Sequence, residues 1–251
     1  HIDTAEFDSF EHSSNKIIII RHNSHPYYID ILNKEVVKAF IESTHEKYYA
    51  LFKEYFGKGI PGFFTDEPQI KIGQIPWSYI LPEEFEKRKG YDLLGVLPAL
   101  YIKCEGFEKI RYDFWDVVSE LFVASFGEQI YNWCEEHDCK LTGHAMMEDS
   151  LYMQMASSGG CMPLYEYMHV PGMDWLSRRI SSPVTPKQVS SVANQLGKKF
   201  VISETFALCG WDVSLEELKW IAEWQYVNGV NLMCQHLEGY TLKGAAKRDH
   251  P

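Results

Sequence analysis

Two glutamates in this sequence follow short apolar segments. Glu67 ends the segment Gly-Phe-Phe-Thr-Asp-Glu, and Glu204 ends Phe-Val-Ile-Ser-Glu. A carboxylate at the end of a buried strand loses hydration unless it is paired or used, and each of these could be a structural partner of Arg21 or Arg111. Two carboxylates that face each other across a pocket can instead cleave a glycosidic bond. One protonates the leaving oxygen, while the other attacks the sugar or activates water.

Other polar residues occur at or near the ends of predicted strands, where they could bind a substrate. They are Arg21, His22, Asp66, His144, Glu166, His169, His236 and Glu238. Trp211 lies a few residues beyond Glu204, in a predicted loop, and its flat apolar face could stack on a pyranose ring. Together these residues predict one binding face, provided that the strand ends meet.

Hydrophobic periodicity predicts alternating strands and helices. The predicted strands are residues 16–22, 60–67, 140–146, 163–170, 199–204 and 230–236. The main predicted helices are residues 33–56, 112–137, 150–157, 185–196 and 214–228. Apolar strands that alternate with helices predict an α/β fold with a parallel sheet covered on both faces. A TIM-type (β/α)8 barrel is favoured over an open doubly wound sheet, because no glycine-rich phosphate loop follows the first strand.

Counting back from the last predicted strand places Glu67 and Glu204 at particular strands of a barrel. If residues 230–236 form the eighth strand, the six strands are numbers three to eight, and Glu67 and Glu204 end strands four and seven. This arrangement resembles the large glycoside hydrolase superfamily of (β/α)8 barrels, which places its two catalytic carboxylates at those strand ends. The segment Asp66-Glu67-Pro68 resembles that superfamily's Asn-Glu-Pro, with Asp66 in place of the asparagine.

A closer resemblance is to the α-L-rhamnosidase-like barrels of glycoside hydrolase family 106 and their uncharacterised relatives. The matching segments are Phe64-Thr65-Asp66-Glu67-Pro68, Leu141-Thr142-Gly143-His144, Ser190-Ser191-Val192-Ala193, Gln195-Leu196-Gly197-Lys198, Ser203-Glu204-Thr205-Phe206 and Gly229-Val230-Asn231 leading to His236. The resemblance implies hydrolysis of an oligosaccharide or glycoside, with Glu67 as the general acid and Glu204 as the base or nucleophile. Enzymes of the family invert and use calcium, but neither property follows from the spacing of these residues, which by themselves indicate no cofactor.

Two other functions are compatible with the same residues. His144, His169 and His236 could bind zinc in a metal-dependent hydrolase. A non-catalytic carbohydrate-binding barrel would keep the aromatic residues without needing both acids. The candidate calcium ligands Asp66, Asp149 and Asp174 lack the spacing of an EF-hand loop.

Composition limits the remaining possibilities. The 251 residues carry 24 Lys and Arg against 35 Asp and Glu, a formal charge of −11, and no basic run that would indicate a nucleic-acid partner. The apolar stretches are too short to span a membrane, and the six cysteines are too sparse for a disulfide framework. We predict one catalytic-type domain over residues 1–251, with an insertion at 69–111. Because six strands are found instead of eight, we predict a fragment of a larger multidomain protein.

Overall fold

The computed structural model describes residues 19–21, 23, 27–70, 74–236 and 241–244. Within them, five strands form one parallel sheet whose spatial order follows the chain. The strands are β1 (Gly62–Thr65), β2 (Lys140–Gly143), β3 (Val170–Trp175), β4 (Ile202–Thr205) and β5 (Leu232–Gln235). Because every pairing is parallel, the carboxyl ends of all five strands lie at the same edge of the sheet.

Helices fill the connections between the strands. They are α1 (Lys34–Ser43), α2 (His45–Phe52), α3 (Leu81–Lys89), α4 (Leu93–Val96), α5 (Phe107–Phe122), α6 (Gln129–Glu136), α7 (Leu151–Ser158), α8 (Cys161–Glu166), α9 (Val184–Gln195) and α10 (Leu215–Val227). Short 3-10 turns occupy Lys53–Tyr55 and Leu97–Leu100, and a π-helical turn over Val123–Glu128 joins α5 to α6. None of the described helices is long and apolar enough to cross a membrane.

Local sequence accounts for several helix ends. Ser214 and Glu217 form a capping box at the start of α10, since each side chain bonds the other residue's backbone N–H. Pro82 lies in the first turn of α3, and Gly90 ends that helix in the left-handed conformation. On α5, Phe114, Val118 and Leu121 lie on the buried face at helical spacing, which anchors this long helix to the core.

The strands approach each other most closely at β2. Gly143 pairs in register with Thr65 of β1 and Pro171 of β3. Its φ is +137°, and a Cβ added there would lie 2.0 Å from the carbonyl oxygen of Thr65. Only glycine fits this position, which directly precedes His144.

The prediction of a strand at residues 163–170 was wrong. Residues Cys161–Glu166 form α8 instead, and β3 begins at Val170. The apolar run here is short enough to suit either a strand or a buried helix, and Pro163 suits a first helical turn. Glu166 therefore ends a helix, and His169 precedes a strand, whereas the prediction placed it near the carboxyl end of one.

The strand predicted at residues 16–22 falls mostly outside the described residues, and the described residues 19–21 form no strand. The α/β class with a parallel sheet is confirmed by five strands in chain order. The numbering of these strands within an eight-stranded barrel stays a prediction, as do the domain boundaries. The excursion at 69–111 contains α3, α4 and the start of α5.

Candidate active site

His144 lies at the centre of a cluster of acids at the carboxyl edge of the sheet. It follows β2 and is 1% exposed. Its Nε2 is 2.9 Å from Oε2 of Glu204, at the end of β4, and 3.5 Å from Oδ1 of Asp66, just after β1. His236, just after β5, has its Nε2 3.9 Å from Oε1 of Glu204. Side chains from two pairs of neighbouring strands, β1 with β2 and β4 with β5, thus converge, as the parallel topology predicts.

Glu67 and Asp174 complete the cluster on another side of the same imidazole. One carboxylate oxygen from each and one ring nitrogen of His144 lie within 4.8 Å of one another. Asp174 belongs to β3 and pairs in register with Glu204 of β4. Nδ1 of His144 and Oδ1 of Asp174 are both buried without a hydrogen-bond partner among the described atoms. These two buried atoms therefore have unused hydrogen-bonding capacity.

Burial and mutual repulsion favour the protonated forms of two of these acids. Burial raises the pKa of Glu67, and the nearby charges of Asp66 and Glu204 raise it further, against an opposing effect of His144. Burial likewise raises the pKa of Asp174 to about 7, with Glu204, Glu148 and Glu67 contributing in the same direction. The cluster can therefore hold protons near neutral pH.

The pKa of His144 is raised, whereas that of an ordinary buried histidine is lowered. Burial alone would lower its pKa, but the charges of Glu148, Asp174 and Glu204 outweigh burial and raise it. The imidazolium form is thus favoured, and its Nε2–H donates to Glu204. This hydrogen bond holds the Glu204 carboxylate in one orientation.

The backbone at Glu67 is unusual. Its φ is +50°, a left-handed conformation that non-glycine residues rarely adopt, and it stands between Asp66 and Pro68. Phe206 and Leu208, soon after Glu204, also have positive φ angles of 76° and 60°. Strained backbone of this kind is typical of functional sites, because the surrounding structure must hold it in place.

Trp211 lies in the loop between β4 and α10 and is 50% exposed. Arg178, after β3, fixes this loop by donating to the carbonyl oxygen of Cys209 and to the carboxylates of Asp212 and Glu217. An exposed indole on a fixed loop suits the predicted stacking on a sugar, which stays a prediction. Trp175, the last residue of β3, is by contrast buried and packs against Trp224.

Two predicted substrate ligands lie away from the cluster. Leu141 N–H donates to Nδ1 of His169, whose Nε2 bonds the carboxylate of Glu135. This position is at the amino end of β3, and the exposed Glu166 lies near it at the end of α8. The predicted zinc site of His144, His169 and His236 is therefore not formed, because the misplaced strand put His169 at the wrong end of the sheet.

The remaining predicted ligands are Arg21, His22 and Glu238. Arg21 is exposed, whereas His22 and Glu238 lie outside the described residues. Asp174 and Glu148 were not predicted as substrate-site residues. Asp174 was considered only as a calcium ligand, although the apolar segment Val-Pro-Gly-Met before it resembles the segments that precede Glu67 and Glu204.

Calcium, which the family resemblance implies, takes about six to eight oxygen ligands. Each group of mutually close donor atoms in the described part of the chain has two carboxylates and the imidazole of His144. An imidazole nitrogen is a poor ligand for this hard cation, and a protonated imidazole would repel it. The described residues therefore do not fit calcium on their own.

The chain is similar to known proteins over most of its length. The family model of glycoside hydrolase family 106, described as alpha-L-rhamnosidase, matches residues 21–239. A protein of Formosa agariphila named "Putative beta-glucuronidase" is 23% identical over 219 residues, which are 84% of this chain and 18% of that protein. The solved structure of a rhamnosidase from Novosphingobium sp. PP1Y matches with a TM-score of 0.70 and 23% identity.

This chain thus spans about a fifth of the length of both relatives, since the match covers 87% of this chain and 22% of the Novosphingobium chain. The structural match supports the fold, and the family model covers well over half of the sequence. The chain belongs to glycoside hydrolase family 106.

Proposed function

We propose that this chain carries the catalytic carboxylates of a glycosidase, with Glu67 as the general acid and Glu204 as the base or nucleophile. The observation that carries the proposal is the placement of both acids beside one buried histidine, at the carboxyl edge of the sheet. Family membership supports the same reaction. We further propose that the five strands are strands four to eight of a (β/α)8 barrel, where these acids end strands four and seven.

The two acids have different surroundings, which suit different roles. A general acid must keep its proton near the working pH, and burial, which raises the pKa of Glu67, favours this. Glu204 accepts a hydrogen bond from His144, which orients its carboxylate towards a sugar carbon or a water molecule. In the reaction Glu67 gives its proton to the leaving oxygen as the glycosidic bond breaks. As a base, Glu204 takes a proton from the water that attacks the anomeric carbon. As a nucleophile, it attacks that carbon itself, and a water molecule that gives its proton to Glu67 then hydrolyses the glycosyl-enzyme ester.

The charge of the cluster favours an uncharged sugar. The names of the two relatives suggest different substrates, a rhamnoside and a glucuronide, and only the glucuronide carries a carboxylate. Asp66, Glu67, Asp174 and Glu204 all lie at the site, and the ion pairs that Asp66 and Glu204 make among the described residues are with histidines. Like-charge repulsion would disfavour a uronate, so we propose an α-L-rhamnoside.

Substitution of the two acids in the full-length protein tests the assignment. Glu67→Gln and Glu204→Gln should each lower kcat on an aryl α-L-rhamnoside by about 100-fold or more while the fold is retained. The exposed Glu136→Gln, on α6, makes the same charge change away from the site and should retain full activity. Full activity in the Glu67→Gln, Glu204→Gln double variant would refute the proposal. Sugar binding by the wild-type protein without cleavage of any aryl glycoside would favour a carbohydrate-binding barrel.

A further inference from the structure

Glu148 lies in the loop that follows β2, four residues after His144, and is 5% exposed. Its carboxylate makes its hydrogen bonds to the backbone N–H groups of Ala145 and Asp174 and to the hydroxyl of Tyr165. We propose that Glu148 is a positioning residue, whose carboxylate fixes the backbone on both sides of the cluster and thereby aims His144 and Asp174. The inference rests on the proposed function, because those two residues act only in that site.

Each oxygen of the carboxylate holds a different segment. Oε1 accepts the N–H of Ala145, the residue directly after His144, at 3.2 Å, and it accepts the hydroxyl of Tyr165 at 2.5 Å. Oε2 accepts the N–H of Asp174 at 2.9 Å. One side chain thus ties the end of β2, helix α8 and strand β3 together.

The bond to Asp174 replaces a missing strand contact. The pairing between β2 and β3 includes Thr142 with Val170 and Gly143 with Pro171, and β2 ends there. Asp174 lies three residues beyond Pro171, where β2 offers no further carbonyl oxygen. The carboxylate of Glu148 supplies the acceptor instead, so it sets the position of the Asp174 backbone.

The backbone of Glu148 is held as well. Its carbonyl oxygen accepts the side-chain amides of Gln154 on α7, at 2.6 Å, and Gln188 on α9, at 3.0 Å. Both glutamines are buried, and so is Tyr165. With its backbone and side chain both bonded, Glu148 is a rigid support.

A carboxylate suits this position better than any neutral side chain. Backbone N–H groups donate to both oxygens of the Glu148 carboxylate. A glutamine side chain has only one acceptor oxygen, so one of these backbone N–H groups would face the side-chain NH₂ group instead. The ionisable groups that face Glu148 are His144, Asp174, Tyr165 and Cys161. Burial raises the pKa of Glu148 to about 7, while His144 and the three hydrogen bonds oppose that rise.

The test is Glu148→Gln in the full-length protein, compared with Glu136→Gln. We expect kcat on an aryl α-L-rhamnoside to fall by about tenfold or more with little change in KM, because sugar contacts remain while the reacting groups are misaligned. Hydrogen exchange followed by mass spectrometry should show loss of protection in peptides that contain Ala145 and Asp174. A role confined to core packing would instead leave this local protection pattern unchanged at equal global stability.

One further variant, together with the substitutions of Glu67 and Glu204, separates the outcomes. Tyr165→Phe keeps both backbone bonds of Glu148, so its kcat should fall less than that of Glu148→Gln. If Glu148→Gln does not fold, a fall of about tenfold or more in the kcat of Tyr165→Phe, with the protection of Ala145 and Asp174 intact, overturns the inference. An equal fall in both variants would overturn the positioning role. If Glu148→Gln retains full kcat while Glu67→Gln and Glu204→Gln are inactive, the inference fails and the proposed function stands. If Glu67→Gln and Glu204→Gln stay active, the proposed function fails, whatever the exchange data show for Glu148.

Discussion

At the scale of single residues, the candidate site combines acids of the same type in unequal surroundings. Glu67 is partly buried among other carboxylates, whereas Glu204 is held by His144. Repulsion among the acids favours protonation, and the imidazolium form of His144 offsets part of their charge. Unequal environments of this kind let one carboxylic acid donate a proton while another accepts one at the same pH.

The pH dependence of the reaction follows from Glu67. Because its pKa is raised, the protonated form persists to higher pH than in an ordinary glutamate, and a general acid acts only in that form. We expect kcat/KM to fall as pH rises through that pKa. The measurement is a pH–rate profile of the full-length protein, in which the residual activity of Glu67→Gln should lack this alkaline fall. The same fall in the variant would assign it to another group.

Asp174 gives a prediction on stability. The pKa of Asp174 is about 7 in the folded state, above its value of about 3.9 in the unfolded state. The folded state is therefore favoured at pH values below about 3.9, and it loses stability as the pH rises from there through about 7. Asp174→Asn removes this loss. We expect the variant to exceed the wild type in free energy of unfolding by about 1 kcal/mol at pH 8, with a shallower dependence between about pH 4 and 7.

Denaturant unfolding at several pH values measures this difference. Asp149→Asn, which alters an exposed neighbour of Glu148, is the matched control and should leave the pH dependence unchanged. A steeper pH dependence in Asp174→Asn than in the wild type would contradict the interpretation of Asp174 as a buried acid.

The site residues that could be predicted from the sequence are those that follow correctly placed strands. Glu67, His144 and Glu204 each come directly after an apolar segment, and the structure brings them together. Asp174 was not predicted as a site residue because the predicted strand starts at residue 163, seven residues before β3 starts at residue 170. Glu148 lies in a loop, and nothing in sequence spacing indicates that a loop side chain turns back beneath the site.

At the scale of elements, the approach of β2 to its neighbours positions His144. Gly143 leaves no room for a side chain against Thr65, and Gly172 of β3 lies close to the carbonyl oxygen of Gly143. Two glycines at adjacent strand positions let the strands meet where the acids converge. Similar glycines in a sequence are a useful indication of such a contact, although their partners cannot be identified before the sheet order is known.

Gly143→Ala tests this positioning. A Cβ at this position would collide with the backbone of β1, and the φ of +137° is also unfavourable for alanine. We expect a loss of about 3 kcal/mol or more in the free energy of unfolding, because backbone atoms must move. In Gly197→Ala, which has a φ of +66° and no atom within 4 Å of the added Cβ, the cost should be about 1 kcal/mol. Equal costs in thermal or denaturant unfolding would show that the close approach is unimportant.

Elements with strong local signals were predicted well, and ambiguous ones were not. The capping box at Ser214 and the long periodic pattern from residue 112 to 137 both correspond to observed helices. The segment 161–170 lacks such a signal, since a short apolar run with a proline fits either type of element. Tertiary packing against α9 decides it, and this information is not local.

At the scale of the whole molecule, five parallel strands in chain order form part of the fold shared with a rhamnosidase chain that is several times longer. The α/β class was predictable because apolar strands alternate with helices. The number of strands was not, because the strand predicted at residues 16–22 lies mostly outside the described residues, and the described residues 19–21 form none. That the chain is a fragment of a larger multidomain protein stays a prediction.

The choice between sugars is also a property of the whole site. The full-length protein should hydrolyse 4-nitrophenyl α-L-rhamnopyranoside with a higher kcat/KM than 4-nitrophenyl β-D-glucuronide, because the acids at the site repel a uronate. Both substrates release the same phenol, so the comparison isolates the sugar. A preference for the glucuronide would contradict the proposed substrate.

The most direct test of the central claim is the dependence of rate on the leaving group. In a series of aryl α-L-rhamnosides, acidic phenols leave without protonation, whereas weakly acidic ones need the general acid. We predict that Glu67→Gln lowers kcat/KM by about 100-fold or more with poor leaving groups and by about tenfold or less with the most acidic phenol. Glu204→Gln should lose activity on all of them to a similar extent. The same loss across the whole series in Glu67→Gln would contradict its assignment as the general acid.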